Sequence, residues 1–291
     1  MENVTVVCFL ASYAVALALE LVRLVKRVPV RRAVMLLFAA AGFVAHTTYL
    51  VVRSRQTELP PLLSSTQDWM LVLAWLALVF YLVLTLVDRD LAVGLFLLPL
   101  VLVLIGASYF VSGEPNALVA GSNGAGAAEG VVRRWALLHA ALLVFGIGGV
   151  MLGFVSSLMY LVQHRRLKQQ QTLLAGLQLP SLERLARLNW WAVIVSVPLL
   201  TLGMGTGIGL ALYSRRAFAT VSLADPVIVA NGVLWLVMVA FFVWLLRTER
   251  PAGKQVAWLT IWAFGFLVLT LFGTELLPTW HAAAKEISVR E

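Results

Sequence analysis

The sequence predicts an all-α, polytopic membrane protein with eight transmembrane helices, forming a single integral membrane domain over residues 1–291. Hydrophobic residues make up 61% of the chain and charged residues only 12%, whereas soluble globular proteins are about 45–50% apolar. The mean hydropathy is +0.92. Crossing about 30 Å of hydrocarbon takes roughly 20 apolar helical residues, because a helix satisfies its own backbone hydrogen bonds in lipid. Eight segments meet that length.

Each predicted span is an apolar run bounded by polar, basic or turn-forming residues. In chain order the spans are 4–22, 33–52, 69–87, 91–111, 135–162, 189–213, 227–246 and 256–274. The connection 112–134 is rich in glycine and small residues, so we expect a mobile outer loop. The connection 163–188 is predicted to be cytoplasmic. Its Pro180-Ser181 start signal and alternating leucines and charges predict a short amphipathic helix on the inner surface.

Basic residues favour an orientation with both termini outside. The predicted inner loops hold 14 Lys and Arg, and the outer segments hold 8. The positive-inside rule assigns the richer side to the cytoplasm. The net charge of +8 thus has a membrane explanation, and no arginine-aromatic module predicts nucleic-acid binding. The expected binding environment is the lipid bilayer.

The single cysteine, Cys8, excludes several classes of protein. It rules out a disulfide framework, a cysteine-rich zinc site and a CxxCH haem-attachment motif. The chain is therefore not itself a c-type cytochrome.

Three histidines are predicted to lie in or near the outer half of the membrane. His46 is in the second span, His139 is near the start of the fifth, and His281 follows the eighth. Haem iron accepts two neutral imidazoles as axial ligands. Zinc is less favoured because no HExxH or regularly spaced third ligand is present. The residues alone leave open a simpler role, hydrogen bonding to neighbouring helices, and His164 is predicted to be a solvated cytoplasmic residue.

Arginines at the same predicted depth are candidate partners for haem propionates. Arginine pairs well with carboxylates. The alternative is that these residues anchor helix ends at lipid headgroups. The candidates are Arg53, Arg55, Arg133, Arg134, Arg215 and Arg216.

Glycines recur four residues apart in the fifth and sixth spans, at Gly149 and Gly153 and at Gly203 and Gly207. Such spacing favours close helix packing. It would also let a flat porphyrin approach a backbone.

Several motifs, taken in their order, resemble one protein family. They are WALLH at 135–139, YLVQ and RRLK within 160–168, LPSLER at 179–184, TLG at 201–203 with Gly207, GKQVAW at 253–258, and FG through LPTWH at 272–281. This series is similar to the cytochrome c assembly protein family, the haem-handling group of CcsA, CcmC and HemX proteins. The segments 46–53 and 60–62 are similar to HemX-like members.

The resemblance implies that His139 and His281 are axial ligands of a non-covalent b-type haem, with His46 as a secondary candidate within the membrane. It implies an inner-membrane assembly or haem-delivery factor, at most part of a cytochrome c synthetase, with no catalytic residue of its own. Apocytochrome c and other maturation proteins are the implied partners. The family's WGxxWxWD loop is absent: residues 214–224 contain no tryptophan, and only Asp225-Pro226 matches its end. The chain therefore resembles HemX-like members most, and Asp225 is a candidate for orienting the outer loop.

Two other functions stay open. A HemX-like regulator would control haem biosynthesis through the segment 163–188 without binding haem. A small-solute transporter is disfavoured, because no carboxylate lies deep in a predicted span and Glu20 and Asp225 sit at span ends.

Overall fold

The computed structural model describes residues 5–26, 32–57, 59–87, 93–111, 113, 127–169, 179–218, 226–248 and 253–276. Within these residues the chain forms helices and no strands. The helices are α1 Val6–Lys26, α2 Arg32–Thr57, α3 Pro61–Ser64, α4 Thr66–Val87, α5 Gly94–Ala107 with a 3-10 turn at Ser108–Phe110, α6 Ala127–Gln169, α7 Leu182–Phe218, α8 Pro226–Arg247 and α9 Gly253–Leu276.

The predicted all-α, polytopic membrane fold is confirmed, and each predicted span overlaps one helix, of 14 residues in α5 and of 21 or more in the others. By length and composition, α2, α4, α6 and α7 are apolar enough to cross a membrane. Shorter apolar helical segments lie in α1, α5 and α8. The chain is therefore a multi-pass membrane protein.

Two helices differ in extent from the predicted spans. Helix α6 begins at Ala127 rather than Trp135, so the last residues of the predicted outer loop 112–134 are helical, and residues 114–126 lie outside the described part. Good helix formers in Ala127-Ala128-Glu129 explain the early start. The amphipathic segment after Ser181 is not a separate helix. It forms the first turns of α7, because no glycine or proline interrupts the chain before the apolar span.

The start of α7 carries ordinary helix-start contacts. The backbone N–H of Arg184 donates to Ser181 Oγ at 3.3 Å, which is an N-cap. Arg187 pairs with Glu183 at 2.8 Å one turn earlier. Both side chains of this pair are exposed, so the pair contributes little to stability.

Among the described helices, α6 and α7 form the most extensive helix–helix interface. A Cβ placed on Gly149 would lie 2.9 Å from Ser196 Cβ, and one on Gly203 would lie 2.7 Å from Leu143 Cδ2. An added side chain at either position would force its neighbour on the other helix to move. Without a hydrophobic driving force in lipid, close van der Waals packing of this kind holds helices together. The glycine spacing therefore marks the α6–α7 interface.

A buried polar node ties this pair to α9. Asn189 Nδ2 donates to Ser157 Oγ of α6 at 3.0 Å, and Thr260 Oγ1 of α9 donates to Asn189 Oδ1 at 3.2 Å. All three residues are buried. One amide thus joins three helices.

We expect Asn189→Ala to lower the free energy of unfolding by about 1–2 kcal/mol, because it removes two interhelical hydrogen bonds. Thermal unfolding of the detergent-solubilised protein measures the effect. Thr248→Ala is a matched control, since its hydroxyl lies just past the end of α8 and, among the described residues, bonds only to the backbone oxygen of Trp244 in an exposed contact. Equal melting temperatures for the two variants would contradict the role of the node.

The bundle has two ends, named here by the histidine that each contains. At the His139 end, Leu63 of α3 packs with Ala136 and Ala140 near the start of α6. At the His164 end, Leu84 of α4 and Leu185 of α7 line the same cavity, which has a volume of about 210 Å³. The helices α4 and α6 therefore begin at the His139 end and finish near the His164 end.

Candidate functional site

His139 lies on α6 with its imidazole against α7. Its Nδ1 is 2.8 Å from the backbone oxygen of Gly203 and 3.4 Å from Thr206 Oγ1. A carbonyl oxygen only accepts hydrogen bonds, so Nδ1 carries the proton and donates it to Gly203. In the neutral ring, Nε2 then holds the free lone pair. It has no hydrogen-bond partner in the described part of the chain.

The imidazole occupies a space that Gly207 leaves open. A Cβ on Gly207 would lie 2.6 Å from His139 Cε1 and 3.0 Å from Nδ1. Gly203 supplies the carbonyl one helical turn earlier. The two glycines therefore form a cradle, one accepting the ring's hydrogen bond and the other making room for the ring.

Trp135 extends the same face of α6 by one turn. Its Nε1 donates to the backbone oxygen of Thr206 at 2.9 Å, and its ring edge lies over Gly209. The side chain is 46% exposed. Residues four apart share one face of a helix, so Trp135 places an aromatic surface beside His139.

Sequence reasoning selected His139 but missed Trp135, Gly207 and Thr206 as its immediate neighbours. A usable signal was present. Trp135 and His139 are four residues apart on one helix, and Gly203 and Gly207 are four apart on the other. Residues four apart share one face of a helix. The two pairs therefore predict that the face of α6 with Trp135 and His139 packs on the face of α7 with the two glycines.

The cradle fits the needs of a metal-ligating histidine. Such histidines almost always donate their other ring N–H to a carbonyl, carboxylate or water, which fixes the tautomer and raises the basicity of the ligating nitrogen. Among the described residues, no group of three His, Cys, Asp or Glu could hold a metal ion. What the α6–α7 pair presents to a metal is one histidine nitrogen, Nε2 of His139, opposite the Nδ1 that is bound to Gly203.

The remaining predicted ligands fall outside this geometry. His281 and Asp225 lie outside the described residues. Arg215 and Arg216 belong to the last turn of α7, and their side chains are likewise outside the described part.

Arg133 and Arg134 precede His139 on α6 and are exposed. At about 100° per residue, they start roughly 120–140° around the helix axis from His139. Their backbone positions therefore do not share the face of His139.

His46 lies in a different environment, between α1 and α2. Its ring is completely buried, stacks on Phe9 at 4.1 Å between centroids, and has Tyr13 Oη 3.3 Å from Nδ1. Its Nε2 is buried and has no hydrogen-bond partner among the described residues. An iron at this nitrogen would require the surrounding helices to separate. The structure does not bring His46 into contact with His139.

Arg53 is engaged by the protein itself. Its Nε lies 3.3 Å from Asp68 Oδ2, and its Nη2 donates to the backbone oxygen of Gly113 at 3.1 Å. Asp68 is completely buried and also accepts the hydroxyl of Ser64, while its own N–H donates to Ser65 Oγ at 3.1 Å. This guanidinium is therefore a structural partner of Asp68 and not a free cation. The sequence reasoning placed Asp68 outside the third span and missed its burial.

Most of the chain matches one known protein family. The model of a family described as Cytochrome C assembly protein matches residues 63–281. The matched region contains α4 through α9 and the whole cradle around His139. No curated protein matches the chain.

Proposed function

The chain belongs to the cytochrome c assembly protein family and has a role in cytochrome c biogenesis, and from this premise we propose that it binds haem at the His139 end of the bundle. His139 and His281 are the proposed axial ligands of a non-covalent, b-type haem. The protein would act as an assembly or haem-delivery factor rather than as an enzyme.

One observation carries this proposal: the imidazole of His139 is bound through Nδ1 to the Gly203 carbonyl, while Nε2 is left without a partner in the described residues. Histidine nitrogens are ligands of haem iron, and His139 Nε2 is the nitrogen that would hold it here. His139 offers the Nε2 lone pair, Gly203 holds the ring, and Trp135 supplies an apolar surface next to it. These residues therefore fit one side of the group.

The distribution of basic residues along the sequence supports an orientation for the site. We place the His139 end outside an inner membrane, with both termini outside, from the distribution of Lys and Arg. Arg133, Arg134, Arg215 and Arg216 are proposed propionate partners, and Asp225 is proposed to orient the neighbouring loop. Because residues 214–224 lack tryptophan, we place the chain nearest the HemX-like members. Apocytochrome c and other maturation proteins are its proposed partners.

The absorption spectrum of the purified protein tests the function. We expect protein expressed with a supplemented haem supply to show the Soret band of six-coordinate haem. His139→Ala and His281→Ala should each lose this spectrum, because one axial nitrogen is removed. Added imidazole should partly restore it in His139→Gly, since a free ligand can enter the vacated space.

His164→Ala is the matched control, because His164 lies at the opposite end of α6, and its spectrum should equal that of the unmodified protein. A colourless protein after haem supplementation would reject haem binding and favour the regulator of haem biosynthesis that acts through residues 163–188. A normal spectrum in His139→Ala would place haem elsewhere.

A further inference from the structure

A second cleft, at the His164 end, lies between the last turns of α6 and the first turns of α9. Its volume is about 260 Å³. Basic and aromatic side chains dominate its wall. The lining residues are Leu161, His164, Arg165, Lys168, Lys254 and Trp258.

Close packing fixes the width of this cleft. A Cβ on Gly253 would lie 2.6 Å from Tyr160 Oη, so the start of α9 rests directly on α6. The rings of Phe154 and Phe264 stack at 4.1 Å further along the same interface. The cations are thus carried by two helices that are held together.

The cleft concentrates positive charge without compensation from the described residues. Arg165, Lys168 and Lys254 all line it, and none forms an ion pair with any described residue. No acidic side chain is among its lining residues. By contrast, Arg53 and Arg187 each have a carboxylate partner. Like charges brought together repel unless an anion lies between them, and the N-terminus of α9 adds a positive dipole end.

An apolar stripe continues from the cleft along α9. Trp258, Trp262 and Phe266 follow one another at four-residue spacing, so they share one face of the helix. Their side chains are 41%, 71% and 40% exposed. The stripe leads from the cations toward the middle of the span. Tryptophan is enriched where the headgroup region meets the hydrocarbon.

We propose that this cleft is a binding site for an acidic phospholipid. The phosphate lies among Arg165, Lys168 and Lys254, and an acyl chain follows the stripe of Trp258, Trp262 and Phe266. Basic pockets between transmembrane helices bind the headgroups of anionic lipids on this principle. The stripe favours a lipid over a free anion, because inorganic phosphate has no apolar part that could contact these exposed aromatic side chains. The site is independent of haem binding at the opposite end.

Native mass spectrometry of the full-length protein in neutral detergent tests the site. Titration with dioleoylphosphatidylglycerol should give one tightly retained lipid, and dioleoylphosphatidylcholine should not. The triple variant Arg165→Gln, Lys168→Gln and Lys254→Gln should weaken retention by roughly tenfold to a hundredfold, because each cation near an anionic lipid contributes separately. Trp262→Ala should also weaken it, by a smaller factor.

The control variant Arg184→Gln, Arg187→Gln and Arg247→Gln removes the same number of charges from the same end of the bundle. It should retain the lipid, and circular dichroism should show both triple variants folded. Equal losses in the two variants would reduce the effect to general surface charge and overturn the proposal. Full competition by inorganic phosphate would assign a free-phosphate site instead, and displacement of the lipid by haemin would assign a porphyrin site. Either result would also overturn it.

Discussion

Replacing Gly207 with leucine is expected to remove haem from the purified protein almost completely, although Gly207 donates nothing to a metal. Even one added carbon at this position would lie 2.6 Å from His139 Cε1. A leucine therefore displaces the imidazole and takes Nδ1 away from the Gly203 carbonyl. Loss of such an orienting contact typically costs about 10–100-fold in metal affinity, and loss of the ring's position adds to that cost. The Soret absorbance per mole of protein measures the change.

Gly205→Leu is the matched control for this experiment. Gly205 lies on the same helix, two residues before Gly207, and a Cβ there would meet no atom within 4 Å. We expect its spectrum to stay normal, with helical content unchanged in both variants. If Gly207→Leu kept its haem, the cradle would have no part in the site. If both variants lost haem equally, the effect would come from glycine loss in α7 rather than from His139.

The second large effect is expected from Arg53→Met, which should lower the free energy of unfolding by about 3 kcal/mol or more. Asp68 is fully buried, whereas the Arg53 side chain is 28% exposed. Removing the arginine leaves a buried carboxylate with no cation, and one of its oxygens already lacks a partner. When Asp68 is replaced, water can still solvate part of the Arg53 guanidinium, because that side chain is 28% exposed. Asp68→Asn should therefore lower the free energy of unfolding by less than Arg53→Met does. Thermal unfolding in detergent gives the order of the two variants.

The double variant Arg53→Met, Asp68→Asn completes this test. Because it removes the charge as well as its partner, we expect it to be more stable than Arg53→Met alone. A double variant whose loss equals the sum of the two single losses would show that the residues do not interact. The same cycle at the exposed pair Glu183 and Arg187 should give a coupling near zero, since water screens both groups.

Hydropathy predicted the helices well because the bilayer imposes one requirement on every span. An apolar run of sufficient length must become a helix, so the spans 69–87 and 227–246 appear almost unchanged as α4 and α8. The extents of α6 and α7 were harder to predict. Outside the hydrocarbon a helix continues as long as local propensity allows, and Ala127 and Leu182 start helices that hydropathy alone does not reveal.

The candidate site was predicted only in part, because hydropathy carries no information on helix rotation. His139 stood out as a rare polar residue in a span. That its ring rests in the space left by Gly207 depends on the mutual rotation of α6 and α7. Arg53 illustrates the reverse error. Its charge indicated a free cation, but the chain returns through α3 and brings Asp68 to it.

The hydrogen bond from His139 to Gly203 links a chemical property to a mechanical one. The acceptor is a backbone atom, so no substitution of a side chain can tune it directly. The electron density at His139 Nε2 depends instead on the strength of this bond, and therefore on the position of α7 along the axis of α6. A partner or ligand that shifted α7 lengthwise by a fraction of a turn would therefore weaken the binding of the proposed haem iron by His139 without contacting the iron.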